Sequence, residues 1–330
     1  MKASRLCAYS AGHFWVDFSC ALLMFTRISG TGKWVLCALL YNFCAFALQM
    51  PIGLLADRLG RSGPLAALGC ALVTASWGLA VFPAAAAVTA GLGNACFHVG
   101  GGVAVLREGG ERAAPLGIFV SPGAFGIYFG TLLGRKSGLP LWGAAAGLVF
   151  FTLIFLFMER RTAKSAALRP APDGNAVFVL ACCFLVVVLR SYLGMVLSFP
   201  WETGNWAFAL TCALVLGKGL GGFLGDRLGM VQTSVFSLGL AAVLFCLSGF
   251  PWAGTAAVFL FNMTMPITLW AEARLLPPGF AFGTLTFALF LGFLPIWLGW
   301  PALLAGGTRY AAGALCSLAL LALGLKRGRM

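Results

Sequence analysis

Apolar runs of about 20 residues, separated by short turn and charge signals, recur along the chain. They predict helices over 6–27, 34–56, 64–82, 85–106, 114–134 and 139–158, then over 175–199, 205–224, 231–249, 252–272, 279–299 and 301–324. A hydrocarbon core about 30 Å thick is crossed by about 20 residues of helix, so the runs read as crossings. At Phe82–Pro83 and Phe250–Pro251 the loops are almost absent. Proline there favours a tight turn between two helices over one long helix.

One stretch between runs is clearly polar: Glu159 to Asn175, with Arg160, Arg161, Lys164, Arg169, Pro170, Pro172 and Asp173. It divides the chain into six-helix halves, 1–158 and 175–330, joined by a cytoplasmic linker over 159–174. The halves repeat. Gly53-Leu-Leu-Ala-Asp57-Arg58-Leu-Gly60 follows the second helix of the first half, and Gly222-Phe-Leu-Gly-Asp226-Arg227-Leu-Gly229 follows the second helix of the second. Parallel repeats at identical spacing mark a two-bundle membrane protein. Gly60 and Gly229 permit a reversal with positive φ. Asp57 and Asp226 suit the positive N-terminus of a neighbouring helix. With Arg58, Arg61 and Arg227 at the interface and Lys218 two turns before Asp226, these residues form candidate gating loops.

Composition fixes the solvent. Hydrophobic residues make up 61% of the chain and charged ones 9%, against roughly a quarter in a soluble domain. The fold class predicted is an all-α integral membrane protein, with twelve transmembrane helices in two pseudo-symmetric six-helix bundles. The first run carries His13 and Asp17 and has no clear small-residue cleavage site, so it reads as a retained helix. The eleven cysteines all fall in apolar stretches and read as packing residues, without metal-knuckle spacing.

The net charge of +13 reports orientation, not a nucleic-acid partner. Lys2, Arg5, Arg58, Arg61, Arg107, Arg112, Arg160, Arg161, Lys164, Arg169, Arg227, Arg274, Lys326, Arg327 and Arg329 fall on one predicted side, and only Arg27, Lys33, Arg135 and Lys136 on the other. The positive-inside rule places both termini in the cytoplasm. The setting expected is a bacterial inner membrane, with the chain a monomer.

The repeated Asp-Arg-x-Gly loops resemble the signature of the major facilitator superfamily, and the pattern is similar to its fosmidomycin-resistance branch along most of the chain. His13-x-x-x-Asp17, Phe97-His98 after a Gly-Asn stretch, the glycine-rich Gly117 to Gly126 and Glu272-Ala-Arg-Leu-Leu-Pro277 carry that likeness. After Phe97-His98 the branch has a proline and a polar run with Glu and Arg, where this chain has Val99-Gly100-Gly101-Gly102-Val103. The resemblance implies the major facilitator fold and transport. It also implies that the first and fourth helices of each half line a central cavity, which places His13, Asp17, His98, Arg190 and Asn262 around one space.

Ionisable groups inside a bilayer are costly, and each is a functional candidate. His13 and Asp17, four apart, share a helix face: they are a proton site or a static brace. His98, with Asn94 one turn away, is a proton or substrate ligand or a helix-to-helix hydrogen bond. Arg190 lies too deep to snorkel and needs a carboxylate, carbonyls, water or an anionic substrate. Gly126, Gly130 and Gly134 read as a packing stripe.

The function expected is secondary active transport by alternating access, coupled to protons, of a small organic anion or zwitterion or a drug-like metabolite, including efflux. A divalent metal ion held by His13, Asp17 and His98 is the alternative cargo. No nucleotide-binding loop and no catalytic set stand out, so no cofactor and no enzyme activity are expected. A non-transporting receptor or membrane enzyme on the same scaffold is the alternative of another class.

Overall fold

In hydrocarbon a backbone must satisfy its own N–H and C=O groups, and a helix does so within one segment. The computed structural model describes residues 1–136, 142–158, 173–303 and 305–330, and every regular element among them is helical. In chain order these are α1 Ala3–Leu23, α2 Trp34–Asn42, α3 Gln49–Leu59, α4 Gly63–Gly78, α5 Pro83–Gly109, α6 Ala114–Val120, α7 Pro122–Gly134 and α8 Trp142–Phe157. There follow α9 Gly174–Val196, α10 Asn205–Leu228, α11 Met230–Cys246, α12 Pro251–Asn262, α13 Met265–Leu275, α14 Pro278–Trp297 and α15 Gly307–Arg327.

Among the described residues, eight helical runs are long and apolar enough to cross a membrane: 34–59, 83–109, 114–134, 174–196, 205–228, 251–275, 278–297 and 307–327. Helices α4, α8 and α11 are apolar but shorter. The tight turns expected at the two Phe-Pro steps are present, with Pro83 and Pro251 opening α5 and α12. Up to residue 172 the expected linker lies outside the described residues, with Arg160, Arg161, Lys164 and Arg169.

Several predicted helices are interrupted. π-Helical turns at Met24–Ile28 and Phe43–Ala47 extend α1 and join α2 to α3. The predicted fifth helix breaks at Ser121, where Pro122 cannot donate to the ladder. The tenth breaks at Met263–Thr264, just before Pro266.

The chain forms two compact units. Among the described residues, the first unit holds 1–110, 122–136, 142–158 and 277–287, and the second holds 111–121, 173–276, 288–303 and 305–330. In the first unit α7 lies along α1 through glycines: a Cβ on Gly126, Gly130 or Gly134 would meet the backbone or Cβ atoms of α1 and its π-turn. Helix α4 lies equally close to α5, where Gly69, Gly93 and Gly100 leave backbone against backbone. Tyr9 stacks on Phe155, centroids 4.9 Å apart, beside Phe97. This packing fixes α1 against α5 at the level of the polar residues.

In the second unit α15 and α9 are pinned by the Tyr310 hydroxyl, which donates to Val196 O at 3.0 Å. Ser191 of α9 donates to Leu289 O of α14 at 2.6 Å. Helix α13 packs on α9, α10 and α6.

Candidate functional site

In the first unit, helical periodicity sets His13 and Asp17 on one face of α1, and α5 brings Asn94 and His98 to meet them. His13, Asp17 and Asn94 are buried. Asn94 Nδ2 donates to Asp17 Oδ1 at 2.8 Å. His13 Nε2 lies 3.2 Å from Asp17 Oδ2 and 2.8 Å from His98 Nε2, and His98 Nε2 lies 3.6 Å from Asp17 Oδ1. A bare backbone closes the cluster, since a Cβ on Gly123 would collide with the His13 imidazole and the Asp17 carboxylate.

The hydrogen bonds dictate where protons sit. His98 Nδ1 is 2.8 Å from Asn94 O, and a carbonyl only accepts, so Nδ1 carries the hydrogen. A neutral His98 therefore presents a lone pair at Nε2. His13 Nε2 then donates, shared between that lone pair and Asp17. With both imidazoles neutral the set carries one negative charge. One added proton makes it neutral. Two imidazoles and a carboxylate in such contact can take up and release a proton. The ligand atoms also lie within 4.8 Å of one another, a grouping open to a divalent ion. Nitrogen ligands at about 2.0–2.1 Å from a tetrahedral ion stand about 3.3 Å apart, so the imidazoles would separate by about half an ångström.

In the second unit Arg190 of α9 is buried and donates from Nη2 to Thr264 Oγ1 at 2.8 Å and from Nη1 to Thr268 Oγ1 at 3.4 Å. Its Nε has no partner, and among the described residues it makes no ion pair. A guanidinium held only by hydroxyls keeps donor capacity and charge for an anion. Asn262, one turn away from Pro266, donates within its own helix to Val258 O at 2.8 Å.

The repeated loops end in matching caps, each within its own unit. Asp57 accepts from Gly279 N and Phe280 N, both at 2.9 Å, at the start of α14. Asp226 accepts from Ala113 N at 2.8 Å and Ala114 N at 3.0 Å, at the start of α6. Carboxylates there satisfy orphan amides and face the positive end of the helix dipole. Arg107 reaches Asp57 Oδ1 at 3.4 Å. Gly60 and Gly229 take positive φ, 68° and 96°. Lys218 contributes its backbone, against which Gly117 packs; Arg58 and Arg227 lie in the last turns of α3 and α10, and Arg61 follows α3.

Two residues of these sites, Thr264 and Thr268, escaped sequence reasoning, and Glu272 reads in the sequence only as an ionisable residue near a helix end. Their four-residue spacing puts them on one face of α13, and that spacing was the available signal. Glu272 is fully buried.

No family model matches the sequence, and no curated protein matches it. Solved structures do match in shape. The E. coli fucose:proton symporter aligns with TM-score 0.67 at 14% identity, covering 98% of each chain. The human organic anion transporter MFSD10 aligns with TM-score 0.68 at 16% identity, covering 97% of this chain and 100% of that one. A bacterial homologue of the iron transporter ferroportin, in an outward-facing state with soaked iron, aligns with TM-score 0.62 at 15% identity, covering 98% and 99%. Helical throughout its described residues, apolar in its long runs and matched over 97–98% of its length, the chain has the fold of major facilitator superfamily transporters.

Proposed function

We propose that the protein is a proton-coupled secondary transporter of a small organic anion or zwitterion, working by alternating access. The observation that carries this reading is Arg190: a buried guanidinium bonded to two threonine hydroxyls and to no carboxylate among the described residues. Burying such a charge is costly unless a counter-charge arrives during the work cycle. The His13–Asp17–His98 cluster supplies the proton-exchanging site, with Asn94 holding the carboxylate in place. The same fold in a fucose:proton symporter and an organic anion transporter supports the reading.

In this reading the helical runs act as twelve crossings in two pseudo-symmetric halves, 1–158 and 175–330, with 159–174 as linker. Both termini face the cytoplasm of a bacterial inner membrane, the protein works as a monomer, and it is not an enzyme. Asp57 and Asp226 are latches whose bonds to the helix N-termini break and reform as the halves move, and Asn262 lines the solute path. The likeness to the fosmidomycin-resistance branch keeps efflux of a drug-like metabolite within this reading.

The deciding experiment starts from a thermal-shift screen of the purified protein against organic anions and zwitterions, because a ligand of the folded state raises its melting temperature. The best stabilisers are then tested for uptake into proteoliposomes, wild type against Arg190→Gln. Loss of uptake in a variant that melts like wild type is expected. Wild-type uptake in Arg190→Gln would sink the anion reading.

A second reading has its own observation: three potential ligand atoms of His13, Asp17 and His98 gathered within 4.8 Å. Here a divalent ion is the cargo, and the same fold in a bacterial homologue of the iron transporter ferroportin supports the reading. It expects cobalt or zinc to bind the solubilised protein more tightly as pH rises, because the imidazoles must be neutral to ligate. Binding that survives His98→Ala would remove this reading.

A further inference from the structure

Glu272 of α13 is fully buried and neither of its carboxylate oxygens has a hydrogen-bond partner. An ionised carboxylate left so is costly, and the resting form is the neutral acid. Its surroundings are specific. Thr264, Thr268 and Glu272 lie four residues apart on one helix face, and Arg190 is held by the first two. Glu272 is therefore one turn, about 5.4 Å, beyond the threonine that binds Arg190 Nη1. Cys183 of α9 lies within electrostatic reach of both Glu272 and Arg190.

The other charges on the packed elements do not pair with Glu272 among the described residues. On α13 itself, Arg274 pairs with Glu111 at 2.8 Å and lies over the Trp270 ring. From α10, Asp226 caps α6. Lys218 and Arg227 of α10, and Glu111 and Arg112 before α6, form no ion pair with Glu272 among the described residues. From α9, Cys183 is the titratable group near both Glu272 and Arg190, and Arg190 forms no ion pair with Glu272 in this state among the described residues.

We propose that Glu272 is a second proton-binding residue, and that its ionised form pairs with Arg190 in place of the anionic solute. A protonated Glu272 leaves Arg190 to the anion, and a deprotonated one takes its place by a rotamer change along the α13 face. Proton and anion thus bind this unit together and leave it together, which is symport logic. The anion half rests on the Arg190 reading above; the proton half does not.

The proton half is tested without solute, and anion uptake is read separately. Full-length protein in phosphatidylcholine vesicles is titrated, and the protonated-carboxyl band is followed by infrared difference spectroscopy in wild type, Glu272→Gln, Glu272→Asp, Arg190→Gln and Arg190→Lys. The expected result is a band that disappears in Glu272→Gln and moves in frequency in Glu272→Asp. Its midpoint rises by about one pH unit or more in Arg190→Gln, where the ionised form has lost its partner, and stays near wild type in Arg190→Lys. A band indifferent to both Glu272 variants overturns the proposal, as does a midpoint equal in wild type and Arg190→Gln. Should Arg190→Gln lose anion uptake without moving the midpoint, only the Glu272 pairing fails. A moved midpoint with normal uptake fails only the anion reading.

Discussion

His13 and His98 meet Nε2 to Nε2 at 2.8 Å, and Asp17 Oδ2 stands 3.2 Å from the same His13 nitrogen. Two like ring nitrogens at that distance require one hydrogen between them. The bond of His98 Nδ1 to Asn94 O decides which ring presents the lone pair. The arrangement ties the protonation of two helices together, since α1 and α5 each contribute one imidazole.

Coupling should therefore depend on the Asp17 charge. Asp17→Asn removes the negative charge that one bound proton neutralises, while keeping an acceptor for His13. Solute-driven pH change in proteoliposomes is expected to fall to the level of protein-free vesicles, with solute exchange at equal concentrations retained. A wild-type pH signal would show that the coupling proton sits elsewhere.

Gly123 should tolerate no side chain. A methyl there meets His13 Nε2 and Asp17 Oδ2, whereas one on Gly143 meets nothing within 4 Å. Overpacking of this kind costs about 1–3 kcal/mol. Gly123→Ala is expected to lower the melting temperature clearly, and Gly143→Ala to leave it unchanged. Equal melting of the two variants would contradict the closeness of α7 to the cluster.

Sequence made some of this visible for physical reasons. Hydrocarbon demands long apolar runs, so the helices and the two Phe-Pro turns stood out. The Asp57 and Asp226 caps were legible because the same loop occurs twice in register. The His13–Asp17 pair followed from four-residue spacing on one helix. What spacing on a single helix never states is which other helix it faces. Arg190 was conspicuous, but its partners Thr264 and Thr268 look like ordinary polar residues in an apolar run. Glu272 read as a residue near a helix end, and only the packing of α9, α10 and α6 around α13 buries it. The break at Ser121 had its proline in view, yet a proline within an apolar run is equally compatible with a continuous kinked helix.

The two hydroxyls on Arg190 should be unequal. Thr264 accepts at 2.8 Å and Thr268 at 3.4 Å, and a hydrogen bond to a charged group contributes about 1.5–3 kcal/mol. Thr264→Val, which keeps the shape, is expected to destabilise the protein more than Thr268→Val and to weaken anion binding in the thermal-shift assay. A larger effect from Thr268→Val would mean that Arg190 is held differently.

The paired caps give the most local prediction. Gly53 and Gly222 occupy the same place in the repeat, four residues before Asp57 and Asp226. A Cβ on Gly53 would collide with the Gly279 carbonyl, and one on Gly222 with the Ala113 carbonyl. Backbone atoms cannot rotate away, so an alanine at Gly53 must push the start of α14 off α3, and one at Gly222 the start of α6 off α10. Each push breaks the two amide bonds to the nearby aspartate. Losing one bond to a charged group, about 1.5–3 kcal/mol, corresponds to about tenfold or more in an opening equilibrium. Gly53→Ala should therefore speed hydrogen exchange at Gly279 and Phe280 by about that factor, leaving Ala113 and Ala114 as in wild type. Gly222→Ala should do the opposite. Exchange that changes at both caps in either variant would mean that the caps open as one; exchange unchanged in both would mean that the glycines do not hold them closed.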